Sequence, residues 1–442
     1  MTRSRFLSPH IQTNSAVFSP AALAAFLPDP SQLPAKACCW VGFSGGLDST
    51  VLLHALAQLQ LPITLRALHI NHQISPYADA WQQQCADVCA QLGVEFIAEK
   101  VSVINAGKGV EDAAREARYA VFEHYARSGD WLLTAHHAND QAETLLLRLL
   151  RGAGPRGLAA MATQRALGQA TLIRPLLNFS RAQLETYAQE QQLRWVEDES
   201  NYSDDYDRNF LRNRVMPLLA HRWPGFMRKW QQTAELCAEQ EVLLESIAQE
   251  DLLSAQLRDE RIGKSIDLAS LTSLPPARQQ NLLRFWLRSQ GLTTPEQHHW
   301  QQIRQQLFQG RGDAEANVTW GDVSLRLFRG RLYLLPVPLP AMALQLALSN
   351  EVDRPRLIAN LPKLHIRTRL GGERCKPAGR PHSQTLKKLL QEYGLEPWLR
   401  EQLPLVYSND ELVAVGDLWV CEGFLAAPGE PGYQLGWTHA QK

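Results

Sequence analysis

Ser44-Gly45-Gly46-Leu47-Asp48-Ser49 follows the apolar run Cys39-Trp40-Val41-Gly42-Phe43 and opens into Thr50-Val51-Leu52-Leu53-His54-Ala55-Leu56. The order reads as strand, glycine turn and helix. Two adjacent glycines let the backbone approach an anion closely, because neither carries a Cβ. The unpaired N–H groups at the helix start, with the helix dipole, then favour phosphate. Ser44 and Ser49 add hydroxyl donors. Asp48 would repel phosphate unless Mg²⁺ lies between them, so its presence points to a metal–nucleotide complex. The plainer reading is an ordinary capped βα turn, which a lone Gly-Gly would favour; the full hexapeptide favours phosphate. No Lys-Ser or Lys-Thr follows at Walker A spacing and no G-x-G-x-x-G is present, so P-loop kinase and Rossmann readings fail.

Outward from this turn, strand and helix patterns alternate from Lys36 to about Leu150. Strands are expected over Ile63–Ile70, Glu95–Val103 and Trp131–Ala135, and helices over Tyr77–Leu92, Val110–Ala126 and Asn139–Leu150. Repeated βα units imply an α/β fold with a parallel sheet covered on both faces. Ligands sit at the carboxyl ends of such strands. His69, Asn71 and His72, and His136, His137 and Asp140, therefore become site candidates.

The remainder divides by composition. Residues 1–35, rich in Ser, Pro and Ala, read as a poorly ordered lead-in, and 36–222 as the catalytic domain. Residues 223–340 read as a mostly helical middle domain that turns helical from Phe226 to about Phe308. It closes with a hairpin over Val318–Leu335, turning at Gly330, and a linker at Pro336, Pro338 and Pro340. Residues 350–432 read as a small α+β domain with one helix, Ser383–Tyr393.

At 442 residues and 45% apolar the chain can bury several cores, and a formal net charge of +0 does not advertise nucleic acid. Any basic surface must be local. Seven cysteines include no C-x-x-C pair, and Cys85 and Cys89, one helical turn apart, read as core. A reducing cytoplasm fits. No apolar run could span a membrane and no signal peptide is evident.

Four further groups stand out. Asp140 and Glu143, three apart at a helix start, share one face and could hold Mg²⁺ or an amine; alone they could equally satisfy the helix dipole. Arg115 and Arg118 lie on one side of a helix, where they could neutralise phosphate or stack on a base; the alternative is a solvated face. The polar stretch from Trp195 to Arg212 should be an ordered loop, with Arg208 and Arg212 entering the next helix. In the last unit Lys363, Arg367, Arg369, Arg374, Lys376, Arg380, Lys387 and Lys388 face only Glu373 as a nearby acid. Gly371, Gly372 and Gly379 should leave amides open to an RNA backbone.

The hexapeptide resembles the pyrophosphate loop of the ATP pyrophosphatases, which cleave ATP between the α- and β-phosphates. Together with His69-Ile70-Asn71-His72, Arg115 to Tyr119, His136 to Thr144, Arg151 to Leu158, Ile173 to Leu177 and Asp198-Glu199-Ser200-Asn201…Arg208-Asn209-Phe210-Leu211-Arg212, the chain resembles the tRNA(Ile)-lysidine synthetases. Arg369 to Arg374 and Leu386-Lys387-Lys388-Leu389-Leu390 look like that family's C-terminal tRNA-binding domain. The resemblance implies an adenine-nucleotide α-hydrolase-like catalytic domain and an ATP-dependent carbon–nitrogen ligase. Such an enzyme adenylates C2 of the wobble cytidine in the CAU anticodon of isoleucine tRNA, and the ε-amine of L-lysine displaces AMP. It implies ATP bound by Ser44, Gly45, Gly46, Leu47, Asp48 and Ser49, with Asp48 near Mg²⁺. Lysine would bind at Asp140 and Glu143, and catalysis would fall to Asp48, Arg115, Arg118 and His137. tRNA would bind at Arg208, Arg212, Arg369, Arg374, Lys376, Lys387 and Lys388. It also leaves room for a homodimer.

Three rivals stand against this reading. A pyrophosphate-loop tRNA thiolation enzyme would need reactive cysteines near the loop, and no suitable pair is present. A small-molecule amidotransferase or NAD synthetase would leave the basic unit without purpose. A non-catalytic tRNA-binding protein would not need the intact hexapeptide.

Overall fold

The computed structural model describes residues 17–34, 36–102, 110–199, 203–309, 316–351 and 355–439. By its internal packing the chain divides into two compact units, Met1–Val242 and Leu243–Lys442. The first runs α1 (Pro20–Ala24), β1 (Cys38–Gly42), α2 (Leu47–Leu59), β2 (Thr64–Asn71), α3 (Ala78–Leu92), β3 (Glu95–Lys100), α4 (Val110–Tyr125), β4 (Trp131–Leu133) and α5 (Ala138–Leu150). It continues through α6 (Pro155–Leu158), β5 (Gln164–Leu167), β6 (Ala170–Ile173), α7 (Arg181–Glu190), α8 (Asp207–Phe210) and α9 (Met216–Arg222).

Six strands form one sheet in the order β3-β2-β1-β4-β6-β5, with every neighbour parallel except the edge pair β5–β6. Cys39, Trp40 and Val41 are buried in succession, as expected of a strand covered on both faces. Over it lies α2, which buries Val51, Leu52, Leu53, Ala55 and Leu56. The chain steps outward from β1 to β2 and β3, then returns to β4 on the other side of β1. That reversal opens a crevice at the carboxyl ends of β1 and β4. The glycine turn leaves β1 into it, and α5 starts after β4. Strands β5 and β6 were not anticipated; each is four residues long, too short for periodicity to declare.

The lead-in departs from expectation. Over its described part it is structured: Ser19 caps α1 by accepting the Ala22 N–H at 3.2 Å, with Pro20 at the first helical position. Phe18 is buried edge-on against Phe179 and Tyr187, at centroid distances of 5.0 and 4.9 Å, and Leu23 is fully buried. Two apolar anchors and a cap outweigh the Ser/Pro/Ala composition. Residues 1–16 lie outside the described residues. The third strand ends at Lys100, and residues 103–109, with the end of that expected strand, also lie outside.

In the second unit the expected hairpin forms, pairing Val323–Phe328 with Arg331–Pro336 around Gly330. It is the centre of a five-stranded sheet that also takes in Asn317–Trp320, Lys264–Asp267 and Arg258–Asp259. The middle region is therefore less purely helical than its pattern suggests; strands of two and four residues between helices left no legible alternation. Beyond it lie sheets of three, four and two strands and the helix Leu386–Tyr393. That helix starts three residues later than expected, because Gln384–Thr385 pairs with Arg374–Cys375. Tyr333 and Leu335 of the five-stranded sheet share one core with Leu386, Leu390, Trp398 and Trp437, so the middle and terminal regions pack together. Among the described residues no helix is long and apolar enough to cross a membrane.

Phe18→Ala removes a fully packed aromatic ring and is expected to destabilise the protein by about 3 kcal/mol. Urea unfolding followed by tryptophan fluorescence reads this; an unchanged midpoint would return the segment to the periphery.

Candidate functional site

The turn after β1 needs glycine twice over at Gly45. Its φ of +82° lies in the left-handed region, and an added Cβ would fall 2.6 Å from the Cys85 sulfur and 3.5 Å from Val196 Cγ2. Gly45 C=O accepts from the Val196 N–H at 2.8 Å, tying the polar loop to the turn. Gly46 is the extended N-cap of α2, and no side chain caps that helix start. Its first N–H groups are thus available to an anion. Ser44 and Ser49 hydroxyls stand 3.1 Å apart, and Ser49 also donates to Gly46 C=O at 3.0 Å.

Asp48, in the first turn of α2, faces an imidazole and a guanidinium. Its Oδ2 lies 3.5 Å from His137 Nε2 and 3.8 Å from Arg181 Nη1, while Oδ1 is buried without a hydrogen-bond partner. An orphaned carboxylate oxygen beside an open helix start suits a hard cation carried in by phosphate. Among the described residues no three His, Cys, Asp or Glu side chains gather as a metal site. His137 is 1% exposed. Burial disfavours its charged form, but Asp140, with Nε2 to Oδ2 at 3.4 Å, and Asp48 outweigh that and raise its pKa. Its neighbour His136, bonded to Thr134 Oγ1 at 2.9 Å, is pushed down to about 3 by burial and stays neutral. His69 Nδ1 meets Phe43 C=O at 2.9 Å, a role in holding the strand ends.

Asp140 and Glu143 sit on the first turns of α5, 8% and 1% exposed. Arg208 donates Nε to Glu143 at 2.9 Å and Nη2 to Asp140 at 3.0 Å. Arg212 donates Nε to Glu143 at 2.7 Å and Nη2 to Asp140 at 3.0 Å and to Glu143 at 2.9 Å. Carboxylates three apart on one helix therefore meet guanidiniums four apart on another. Although burial opposes it, His137 and the two arginines hold the Asp140 carboxyl well below its usual range. The same carboxylates raise both guanidiniums. The structure thus joins residues that the sequence had divided between lysine and tRNA. Arg208 and Arg212 are not open phosphate contacts here, because two buried carboxylates require them.

Arg115 and Arg118 project from α4. Arg115 rests 5.2 Å from the Tyr119 ring centre, and Arg118 lowers the pKa of His72, which burial chiefly drives down to about 4. Arg181, at the start of α7, was missed; nothing in its spacing ties it to Asp48, which lies 133 positions earlier.

In the second unit Lys387 and Lys388 are exposed on their helix, as is Arg374, which donates to Ser383 C=O at 2.9 Å. Lys376 is half-buried, and Arg369 lies 3.5 Å from Glu373. Two of the three glycine amides expected to be open are taken. Gly371 N–H donates to Glu373 at 2.8 Å and Gly379 N–H to Glu422 at 3.0 Å. Nor is Glu373 alone: Glu392 pairs with Arg380 at 2.7 Å. Folding brings in acids distant in sequence.

Residues 21–219 match a PP-loop domain family, 266–333 the TilS substrate binding domain and 364–437 the TilS substrate C-terminal domain. The chain is 38% identical over 441 residues to the tRNA(Ile)-lysidine synthase of Coxiella burnetii (strain RSA 493 / Nine Mile phase I), covering 95% of this chain and 96% of that one. It is 41% identical over 426 residues to the tRNA(Ile)-lysidine synthase of Serratia proteamaculans (strain 568), covering 92% and 97%. Among solved structures, the U34-tRNA thiolase NcsA of Methanococcus maripaludis with its 4Fe-4S cluster aligns at 17% identity. It covers 50% of this chain and 77% of that one, with a TM-score of 0.42. The PP-loop match spans the glycine turn, the buried carboxylates and both arginines.

Arg212→Met should cost about 3 kcal/mol, because it leaves Glu143 buried with half its cationic partners; calorimetry checks it. His137 has a folded pKa above 6.5, so its ion pairs contribute fully below that pH and are lost as pH rises through the folded value. Asp140 has the opposite sign: its contribution is present above its ordinary 3.8 and lost as pH falls. The stability gap between wild type and His137→Gln should accordingly narrow from pH 6 to pH 9 on the alkaline side of about 6.5. A gap that widens would refute the pairing.

Proposed function

The chain belongs to the tRNA(Ile)-lysidine synthase family, and on that premise we propose that it joins L-lysine to C2 of the wobble cytidine in the CAU anticodon of isoleucine tRNA. ATP is consumed in two steps. The cytidine O2 attacks the α-phosphorus and pyrophosphate leaves, giving a cytidine adenylate. The ε-amine of lysine, having shed a proton, then bonds to C2, and AMP departs with the oxygen. Codon reading and charging identity change from methionine to isoleucine. The observation that carries this reading is the glycine turn with its uncapped helix start and orphaned Asp48 oxygen, in a chain about 40% identical to lysidine synthases over nearly its whole length.

In this reading the Ser44–Ser49 turn binds the triphosphate, and Asp48 Oδ1 would hold Mg²⁺. When bound, the metal neutralises phosphate charge. His137, whose charged form Asp140 and Asp48 favour, and Arg181 can place positive charge beside Asp48, where negative charge develops. Asp140 and Glu143 offer the only deeply buried carboxylate pair of the crevice among the described residues. Because Arg208 and Arg212 occupy them, lysine would bind by exchanging its ammonium for a guanidinium, a swap of like charge. The exposed Lys387, Lys388 and Arg374, with Lys376 and Arg369, supply RNA contacts in the second unit. All seven cysteines are free thiols, consistent with action in a reducing cytoplasm.

Sulfur transfer is disfavoured. Cys85 lies against the turn, but burial pushes both Cys85 and Cys89 up to about 12, so neither is a thiolate nucleophile near neutral pH.

Incubation with ATP, radiolabelled lysine and unmodified tRNA transcripts should place label in the CAU isoleucine tRNA only when all three are present. Asp48→Asn should lower the rate by about 100-fold or more, and Asp140→Ala should raise the apparent KM for lysine more than that for ATP. Lysine-independent ATP use with no label in RNA would overturn the assignment, and an unchanged lysine KM would remove Asp140 from it.

A further inference from the structure

A second electrostatic feature lies on the same carboxyl edge of the sheet, beyond His136 from the carboxylates. His136 feels Asp140 as well as Arg174, Arg208 and Arg115. Arg174 follows β6 directly and is 4% exposed; its Nη1 donates to Ala162 C=O at 2.7 Å, and its Nε is buried without a hydrogen-bond partner. Arg165, on the edge strand β5, is exposed, and its Cζ lies 4.9 Å from the Tyr119 ring centre. Arg115 approaches the same ring at 5.2 Å. The Tyr119 hydroxyl accepts from both Arg165 and Arg174.

Three guanidiniums thus share one phenol. Among the described residues none of the three forms an ion pair with a carboxylate within the crevice. The buried member feels the others: burial first, then Arg165 and Arg115 against the pull of Tyr119, depress Arg174, and burial followed by Arg115 depresses Arg148. Like charges gathered at such range are unfavourable unless an anion joins them. A cavity of about 540 Å³ opens at Arg115 and Tyr119, lined also by Glu116, Ala120 and Glu123. An RNA strand, the substrate in the reading above, carries one such anion at every nucleotide.

We propose that Arg115, Arg165 and Arg174, gathered on Tyr119, form a seat for one phosphodiester of the RNA strand beside the nucleotide being modified. The proposal rests on the tRNA-modifying reading above and deepens it by naming where the strand is gripped in the catalytic unit. Arg165 supplies the solvent-facing guanidinium, Arg174 the buried one, and Tyr119 fixes the angle between them. A fork-shaped donor on a rigid edge strand positions a phosphate without reading the base.

The test measures binding of the CAU isoleucine tRNA transcript by fluorescence anisotropy, from about 50 to about 200 mM salt. Wild type, Arg165→Ala and Arg165→Lys are compared, each with and without inorganic pyrophosphate as competitor. Arg165→Ala should weaken RNA binding about tenfold and flatten the plot of log affinity against log salt by about 0.7 to 0.9. Arg165→Lys should restore the slope, which loss of structure would not allow. Wild-type affinity and slope in Arg165→Ala would overturn the seat. So would an unchanged RNA slope with loss of pyrophosphate competition, which would assign the arginines to the free anion. If wild type itself fails to bind the transcript, the tRNA reading falls and takes the seat with it, a result distinct from failure in the variant alone.

Discussion

Glu143 is almost completely enclosed, and an enclosed carboxylate survives only with its charge matched. The two guanidiniums that match it come from a segment some 65 residues further along the chain. This single requirement fixes much else. It pins α8 and the turn after it against the start of α5, and so closes one wall of the crevice. It also keeps Asp140 ionised, which with Asp48 raises the pKa of His137 against its burial. Charge passes from Arg208 and Arg212 through the carboxylates and imidazole to Asp48, at the lip of the glycine turn. The phosphate seat and the carboxylate pair are therefore one electrostatic assembly.

Topology supplies the place for that assembly. With β1 inside the sheet, the chain steps away on one side and returns on the other, so the loops after β1 and β4 open on the same gap. Helix starts α2 and α5 both aim their positive ends there. Two converging dipoles favour a polyanion before any side chain is counted. The strands themselves hold this geometry through ordinary apolar burial; Cys39, Val41 and Leu133 share one core with the α2 residues.

Much of this was readable in the chain. Glycine spacing and alternating strands announced the nucleotide turn and the parallel sheet, and the i, i+3 carboxylates were evident from their position after the fourth strand. What escaped was set by distance. Nothing local says that Arg212 must neutralise Glu143, or that Arg181 must reach Asp48, because tertiary pairing decides both. The basic segment of the second unit misled for the same reason. Gly371 and Gly379 have the conformational freedom expected, but the neighbouring Glu373 takes the first amide and Glu422, brought in by folding, takes the second. Phe18 was masked differently: one ring among small polar residues leaves no periodicity, yet three aromatic side chains meeting edge-on are enough to anchor a segment.

The sulfur of Cys85 lies directly beneath the glycine turn, forty residues away in the chain. Room there is as scarce for the thiol as for the missing glycine side chain. Any bulkier residue on α3 would lift the floor of the nucleotide cradle from below, without touching a ligand. A position that bears no chemistry thus sets the height at which ATP can rest, and its tolerance to replacement should be as narrow as that of the loop it supports.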